Sequence, residues 1–334
     1  MRFCFIVEEQ YRNDAMPMVI AEQLLQWGHK VDVIEPQSAV TCLTDMAERG
    51  YDAYVLKSLA EGPGMSLLEA AEAVGIPTIN NSRAIRLVRD KAVAAAFAHA
   101  HGLPMPDTYF VAHPRLLQQL PASAYPLVVK PSNGSSCRDI YRLNSQADLT
   151  ALEISETSDS FFLAQRYAEN TGFDMKVYVT GKEVYAAIAK KSPLHSTIQE
   201  RFIPLTPEIR KLALQIGSLF GLDIYGVDIV ETPRGLAILD INDFPSFAKV
   251  PRAVPRIAEY VLHAATRAEI QREKRTQQAA RRRQTRQAHL LQSAFNGPVS
   301  LASALTGEQI GTATPASLLS ATGQEISTGA CSVE

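Results

Sequence analysis

Oxygen-bearing side chains crowd the end of one apolar segment, LAILDINDFPSF (236–247), where Asp240, Asn242 and Asp243 precede Pro245. Carboxylates gathered this closely repel one another unless a cation neutralises them. Upstream lies YGVDIVETPRG (225–235), and the two segments together predict a β-hairpin. A three-residue loop, Pro233-Arg234-Gly235, with glycine in the left-handed position, pairs Thr232 with Leu236 and sets Asp228 opposite Asp240. Strand side chains alternate between faces, so Asp228, Asp240 and Asn242 then share one face. Two carboxylates and an amide oxygen are hard ligands suited to magnesium, which fills the rest of its shell with water and phosphate oxygens. The plainer alternative is a polar run into a loop, with Asp228 on an exposed edge. These residues alone leave both open, and a one-residue slip would separate Asp228 from Asp240.

A magnesium–nucleotide site also needs cations and backbone donors. Lys130 ends the apolar run PLVVK and precedes Pro131-Ser132-Asn133-Gly134-Ser135-Ser136, a run of small residues able to turn N–H groups toward phosphate. The GK[ST] ending of a Walker A loop and the GxGxxG spacing of a dinucleotide fingerprint are both missing, and a run of this kind by itself is more often a plain turn. Lys91, in RDK before an alanine-rich helix, reads by itself as a solvated lysine paired with Asp90. Lys176 and Lys190 lie on two strands, FDMKVYVTG and EVYAAIAKK. A three-residue loop between them puts Asp174, Lys176 and Lys190 on one face, where adjacent like charges call for an anion. Cys137 has no histidine in an obvious arrangement to activate it and reads as a small buried residue, while His195, a candidate contact for an acceptor, is more simply a structural or exposed histidine.

These residues must be carried by a framework, and the first 80 residues supply a clear one. Strand patterns (RFCFIV, KVDVIEP, YDAYVLK, IPTIN) alternate with helix patterns (MPMVIAEQLLQWGH, CLTDMAERG, GMSLLEAAEAVG), which predicts a parallel, doubly wound sheet. A helical connector follows, then a region of short strands, the strongly periodic helix PEIRKLALQIGSLFG, and a last helix from AVPRIAEYVLHAATRAEI onward. The chain has 334 residues, a net charge of −2 and four scattered cysteines, which points to reduced thiols and a cytoplasmic setting. The start, MRFCFIVEEQ, turns acidic too early for a signal peptide, and no apolar run reaches the roughly 18 residues of a membrane span.

Taken in order, residues 88–250 resemble the ATP-grasp superfamily: RDK before a helix, VVKP with a Gly/Ser loop, AQRYAE, GFDMKVYVTG, GVDIV and ILDINDFPSF. The resemblance extends over about residues 1–265, because the alternating N-terminal region looks like a pre-ATP-grasp domain. It implies an α/β (α+β) chain: a doubly wound pre-ATP-grasp domain (1–85), then an ATP-grasp fold of two α+β subdomains, a small lid (86–165) and a larger part with the metal site (166–265). A basic helix and flexible tail follow (266–334). It further implies ATP and Mg2+, or Mn2+ in its place, as cofactors. Lys91 and Lys130 would contact the nucleotide, and the loop with Ser132, Gly134, Ser135 and Ser136 would close over the phosphates. Gln165, Arg166 and Tyr167 would form the adenine hinge, largely through backbone groups, with Asp174 near the ribose. Lys176 and Lys190 would face the terminal phosphate or the acceptor, and Asp228, Asp240 and Asn242 would hold the metal.

Two branches fit. RimK-type and glutathione-synthetase-like ligases usually carry Glu-x-Asn at the metal strand and join a carboxylate to an amine through an acylphosphate. Inositol trisphosphate kinases carry Asp-x-Asn followed by Phe-Pro, as DINDFPSF does, and Pro245-Ser246 replaces the Pro-Gly frequent in ligases. The compact N-terminal domain favours the ligase, acting on a small-molecule or peptide carboxylate and an amine; a kinase acting on an inositol phosphate or other small alcohol is the alternative. Residues 267–289 hold eight Arg or Lys against two Glu, yet no aromatic residues interleave to stack bases, which argues for a solvated helix over a nucleic-acid surface. Homo-oligomerisation stays open.

Overall fold

The computed structural model describes residues 1–13, 15–58, 62–132, 140–151, 161–170, 172–190, 194 and 199–295. Met1–Gln277 pack as one compact unit, and Gln278–Glu334 are a second. The chain opens with β1 (Arg2–Val7), α1 (Ala15–Gln26), β2 (Lys30–Ile34), β3 (Ala53–Lys57), α2 (Gly64–Ala73) and β4 (Thr78–Ile79). Their strands form a parallel sheet in the order β2-β1-β3-β4. CLTDMAERG, predicted as a helix, is instead a run of bends and turns. Only Met46 of that stretch is buried, and Cys42, Thr44 and Asp45 bond one another through side chains, so local polar bonding wins over a helix with a single apolar anchor.

Where β1 ends, Glu8 is fully buried, and its carboxylate accepts the N–H of Gly64 at the start of α2 (3.0 Å) and the Gln10 amide (3.1 Å). A Cβ on Gly62 would fall 1.8 Å from a Glu8 oxygen, so any side chain there would have to push the carboxylate off its donors.

The connector consists of α3 (Ser82–Arg89) and α4 (Lys91–Ala100). Asp90 is extended, which ends α3, and its carboxylate accepts the N–H groups of Ala92 and Val93, which caps α4. Just before it, buried Asn80 accepts the N–H groups of Asp223 (2.6 Å) and Ile224 (2.8 Å) and donates to the Ile224 carbonyl (2.8 Å). This amide stitches the N-terminal sheet to the strand that carries Asp228.

Next come β5 (Thr108–Val111), β6 (Leu127–Pro131), β7 (Tyr141–Leu143) and β8 (Phe162–Arg166), an antiparallel sheet in the order β5-β8-β6-β7. Then β9 (Asp174–Thr180), β10 (Glu183–Lys190), β11 (Arg201–Ile203), α5 (Pro207–Phe220), β12 (Ile224–Thr232) and β13 (Gly235–Asp243) complete a five-stranded antiparallel sheet, β11-β10-β9-β12-β13. α5 follows its sequence signals: Thr206 caps it, Pro207 opens it, and Gly221 closes it at φ 73°. α6 (Ala253–Phe295) is one helix that runs through the basic segment, where residues 277–287 are exposed as a solvated helix requires.

The five-stranded sheet has two differently clothed faces. Met175, Val177, Val179, Tyr225, Val227, Ile229, Ile238 and Ile241 pack with α3, α4 and α5. Tyr178, Ile188 and Ile224 pack instead with β1 through Phe3, α1 through Ile20, the start of α6 through Ile257, and Phe247 in the segment before it. The polar site residues interrupt this second face.

Candidate active site

The β12–β13 hairpin reaches the expected pairing by an unexpected route. Thr232 pairs with Gly235, not Leu236, so the turn is the two residues Pro233-Arg234, one shorter than predicted. A β-bulge at Leu239 then adds one residue to β13, and Asp228 still faces Asp240. The bulge also decides the faces. Ile238 and Ile241 both enter the α5-side core, which a regular strand could not do, and Asp240 and Asn242 are thereby turned to the face of Asp228. The β9–β10 hairpin uses the same device. Its turn is Gly181-Lys182, also one residue shorter than predicted, and a bulge at Tyr185 restores the parity that sets Lys190 opposite Asp174 and Ile188 opposite Lys176.

Asp228 stands at the centre, between Asp240 on β13 and Lys176 on β9 in the strand register. Lys190 Nζ lies 2.9 Å from Asp228 Oδ1 and Lys176 Nζ 3.5 Å from Oδ2, and the Asn242 amide donates to Oδ2 at 3.4 Å. Burial by itself pushes the Asp228 carboxyl up, but the two ammonium groups outweigh it and hold it below the usual carboxylate range. Asp240 meets a third cation, Lys91 Nζ at 3.5 Å. Lys91 is the first residue of α4, and Asp90, its expected partner, is spent on the helix cap.

Lys130 approaches from the four-stranded sheet and donates to the carbonyl of Leu239 at 3.0 Å. The bulged residue therefore gives its carbonyl to the lysine expected at the nucleotide. Ser132 follows β6 with its N–H on the Phe161 carbonyl (2.8 Å), while Gly134, Ser135, Ser136, Cys137 and His195 lie outside the described residues. Gln165 is buried on β8 and donates to Thr108 (3.0 Å). The N–H groups of Arg166 and Tyr167 bond the carbonyls of Asp107 and Pro126, both at 2.8 Å. Neither amide is thus open to a nucleotide in this arrangement, which narrows the expected backbone hinge to its carbonyls and side chains. Arg142 stacks on the Tyr167 ring, 4.0 Å from its centroid. Asp174 is buried opposite Lys190 at the start of β9.

Several residues escaped the sequence reading. Arg89 forks the Asp243 carboxylate, Nε to Oδ1 at 2.9 Å and Nη2 to Oδ2 at 2.8 Å, across 154 positions of sequence. Nothing local announces that pair. Gly226 had a visible signal, being a glycine inside a strand. It lies opposite Asn242, and a Cβ there would come within 2.9 Å of Pro245 Cγ and 3.3 Å of Lys176 Cε.

The donors fit magnesium. They are two carboxylates and an amide, all with hard oxygens, and Asp228 Oδ1 is buried without an aligned hydrogen bond although an ammonium lies 2.9 Å away. A carboxylate oxygen with one ammonium partner still has a second lone pair to offer a cation. The surrounding lysines supply the positive lining that a polyphosphate requires.

Comparison with known proteins places the fold and the family. Residues 88–259 match the family model described as a RimK-like ATP-grasp domain. A "Probable alpha-L-glutamate ligase" of Parasynechococcus marenigrum (strain WH8102) is 28% identical over 201 residues, 57% of this chain but only 43% of that protein. Another of Trichodesmium erythraeum (strain IMS101) is 26% identical over 250 residues, 68% of this chain and 84% of that one. The fold matches the structure of the ATP-grasp ligase PsnB complexed with minimal precursor, Mg and ADP (TM-score 0.61, 19% identity, 79% of this chain and 97% of that chain). Among the described residues no helix is long and apolar enough to cross a membrane. With an α+β ATP-grasp fold and a matching domain over half its length, the chain belongs to the RimK-like ATP-grasp family, and the relatives it resembles are named as ligases.

Proposed function

We propose that the chain joins a carboxylate to an amine through an acylphosphate. The observation that carries this reading is the row Asp240–Asp228–Lys176 across three adjacent strands, with Lys190 closing on Asp228. Asp228, Asp240 and Asn242 would hold the metal, Mg2+ or Mn2+, which would supply charge to neutralise the terminal phosphates of ATP. Lys176 and Lys190 swing from Asp228 to the phosphoryl group as it moves to the substrate carboxylate, then stabilise the oxyanion of tetrahedral collapse as the amine displaces phosphate. Lys91 and Lys130 bind the other phosphate oxygens, and the segment from Ser132 through Gly134, Ser135 and Ser136 covers them. Gln165, Arg166, Tyr167 and Asp174 line the nucleoside. In this reading residues 86–165 and 166–265 embrace the nucleotide, after a 1–85 domain and before a 266–334 extension.

The names of the relatives make L-glutamate the first amine to test. ADP release is measured with glutamate and other amino acids, with hydroxylamine added to trap acylphosphate. Hydroxamate formation supports the ligase. ADP release with an inositol phosphate, phosphate transfer to its hydroxyl and no hydroxamate would overturn it in favour of the kinase that the Asp-x-Asn-x-Phe-Pro sequence resembles.

A further inference from the structure

The metal strand is gripped just past its last candidate ligand, and the grip comes from the N-terminal sheet. Asn242 is followed by Asp243 and Phe244. Phe244 is buried at φ 38°, a left-handed conformation that a bulky side chain adopts only when its surroundings impose it. Its carbonyl accepts Lys57 Nζ at 2.6 Å. Lys57 is the last residue of β3, and its ammonium lies 4.8 Å from the Tyr11 ring centroid and 5.7 Å from that of Phe244. Asp243 is forked by Arg89, with the two side chains 9% and 13% exposed. The remaining arm of Arg89 donates to the hydroxyl of buried Ser58 (3.0 Å), the residue after Lys57.

Desolvating an ion pair and twisting a phenylalanine are both unfavourable, and an apolar contact would join these elements more cheaply. The arrangement does, however, what an apolar contact cannot: it fixes the backbone direction of two consecutive residues by directed bonds. We infer that Lys57 and Arg89 are positioning residues, which set where Asp240 and Asn242 present their oxygens and so tie metal affinity to the N-terminal sheet. This rests on the reading of Asp240 and Asn242 as metal ligands. Arg89 reaches the metal set through Asp243, and Lys57 through the Phe244 carbonyl; neither touches substrate.

The test is Mn2+ titration followed by electron paramagnetic resonance, with ADP present, at a temperature well below every variant's melt. Arg89→Lys keeps the charge but loses the fork, and Lys57→Met keeps the stem but loses the donor. Both should weaken Mn2+ binding about tenfold or more, with metal-free ADP affinity unchanged. Asp243→Asn approaches the same fork from the other side and serves if Arg89→Lys does not fold. Asp240→Asn is the control for the metal site itself. Wild-type Mn2+ affinity in Arg89→Lys, Lys57→Met and Asp243→Asn, with Asp240→Asn impaired, would leave the metal site standing and reduce the grip to structural glue. Wild-type Mn2+ affinity in Asp240→Asn would remove the metal reading and this inference with it.

Discussion

Replacing Asp228 with asparagine asks whether the two lysines depend on a buried counter-charge. The Asp228 side chain is 11% exposed, and its partners Lys176 and Lys190 are 18% and 19% exposed. Asparagine preserves the shape and removes the charge, leaving two ammonium groups near one neutral amide. Removing one partner of a buried pair typically costs about 3–5 kcal/mol, and because both lysines keep an edge in water the lower end, about 3 kcal/mol, applies. At about 2–4 °C per kcal/mol for chains of this order, the variant should melt roughly 6–12 °C lower at neutral pH without nucleotide. The double variant Asp228→Asn/Lys190→Met removes one of the stranded cations and should recover a good part of that loss, which a double-mutant cycle reads directly. The pH dependence has a definite sign. A carboxyl whose folded pKa is lowered contributes its stability above its unfolded pKa and loses it as pH falls through the folded value. The gap between wild type and Asp228→Asn should therefore be steady from neutral to about pH 5 and close only below about pH 4. An Asp228→Asn protein that melts within about one degree of wild type, or a double variant no better than the single, refutes the reasoning.

Four shorter expectations accompany it. Asp240→Asn should fold normally and lose well over about tenfold in ATP turnover, since it takes a charge from the metal shell; near-normal turnover would make it a loop residue. Lys130→Ala should weaken nucleotide binding by calorimetry and, by releasing the Leu239 carbonyl, speed amide hydrogen exchange around the bulge. Gly226→Ala should lower kcat more than stability, because its methyl group presses on Pro245 and the Lys176 stem; unchanged kcat would show that both give way freely. Truncation after Phe295 should leave ATP turnover intact, the removed residues being small and polar without an apolar period. Intact-mass analysis of the full chain after incubation with magnesium–ATP checks the rival idea that those residues are themselves a substrate: loss of water mapped to them would contradict the truncation result.

The shared face of Asp228, Asp240 and Asn242 was legible because period-two alternation survives any error that preserves parity. The turns were misread for the same reason. A three-residue loop without a bulge and a two-residue loop with one give the same pairing at Asp228, and nothing near Leu239 or Tyr185 distinguishes them. What the shorter turn changes is which apolar residues share the core, as Ile238 does with Ile241. The helix expected at CLTDMAERG failed because a short periodic pattern with one buried residue cannot outweigh Thr and Asp bonding locally. Lys91 was visible as a cation but not as the partner of Asp240, since that contact spans 149 positions. Lys57, Ser58 and Arg89 are ordinary residues in sequence, and only packing of β3 and α3 beside the end of β13 gives them a common task.

Glu8 has a consequence for where a nucleotide can go. In a doubly wound sheet, the helix start beyond the carboxyl end of a strand is the usual cradle for phosphate. Here that cradle is filled from within, by a carboxylate already bonded to the Gly64 N–H and enclosed by Gly62. A tethered group of this kind behaves as a built-in competitor at an effective concentration of about millimolar or higher. A phosphate arriving there would have to displace it and strip a buried negative charge of its donors. That end of the N-terminal sheet is thereby blocked to phosphate, although its architecture suggests otherwise, which fits the proposed placement of ATP at the lysine-lined face beside β9 and β12.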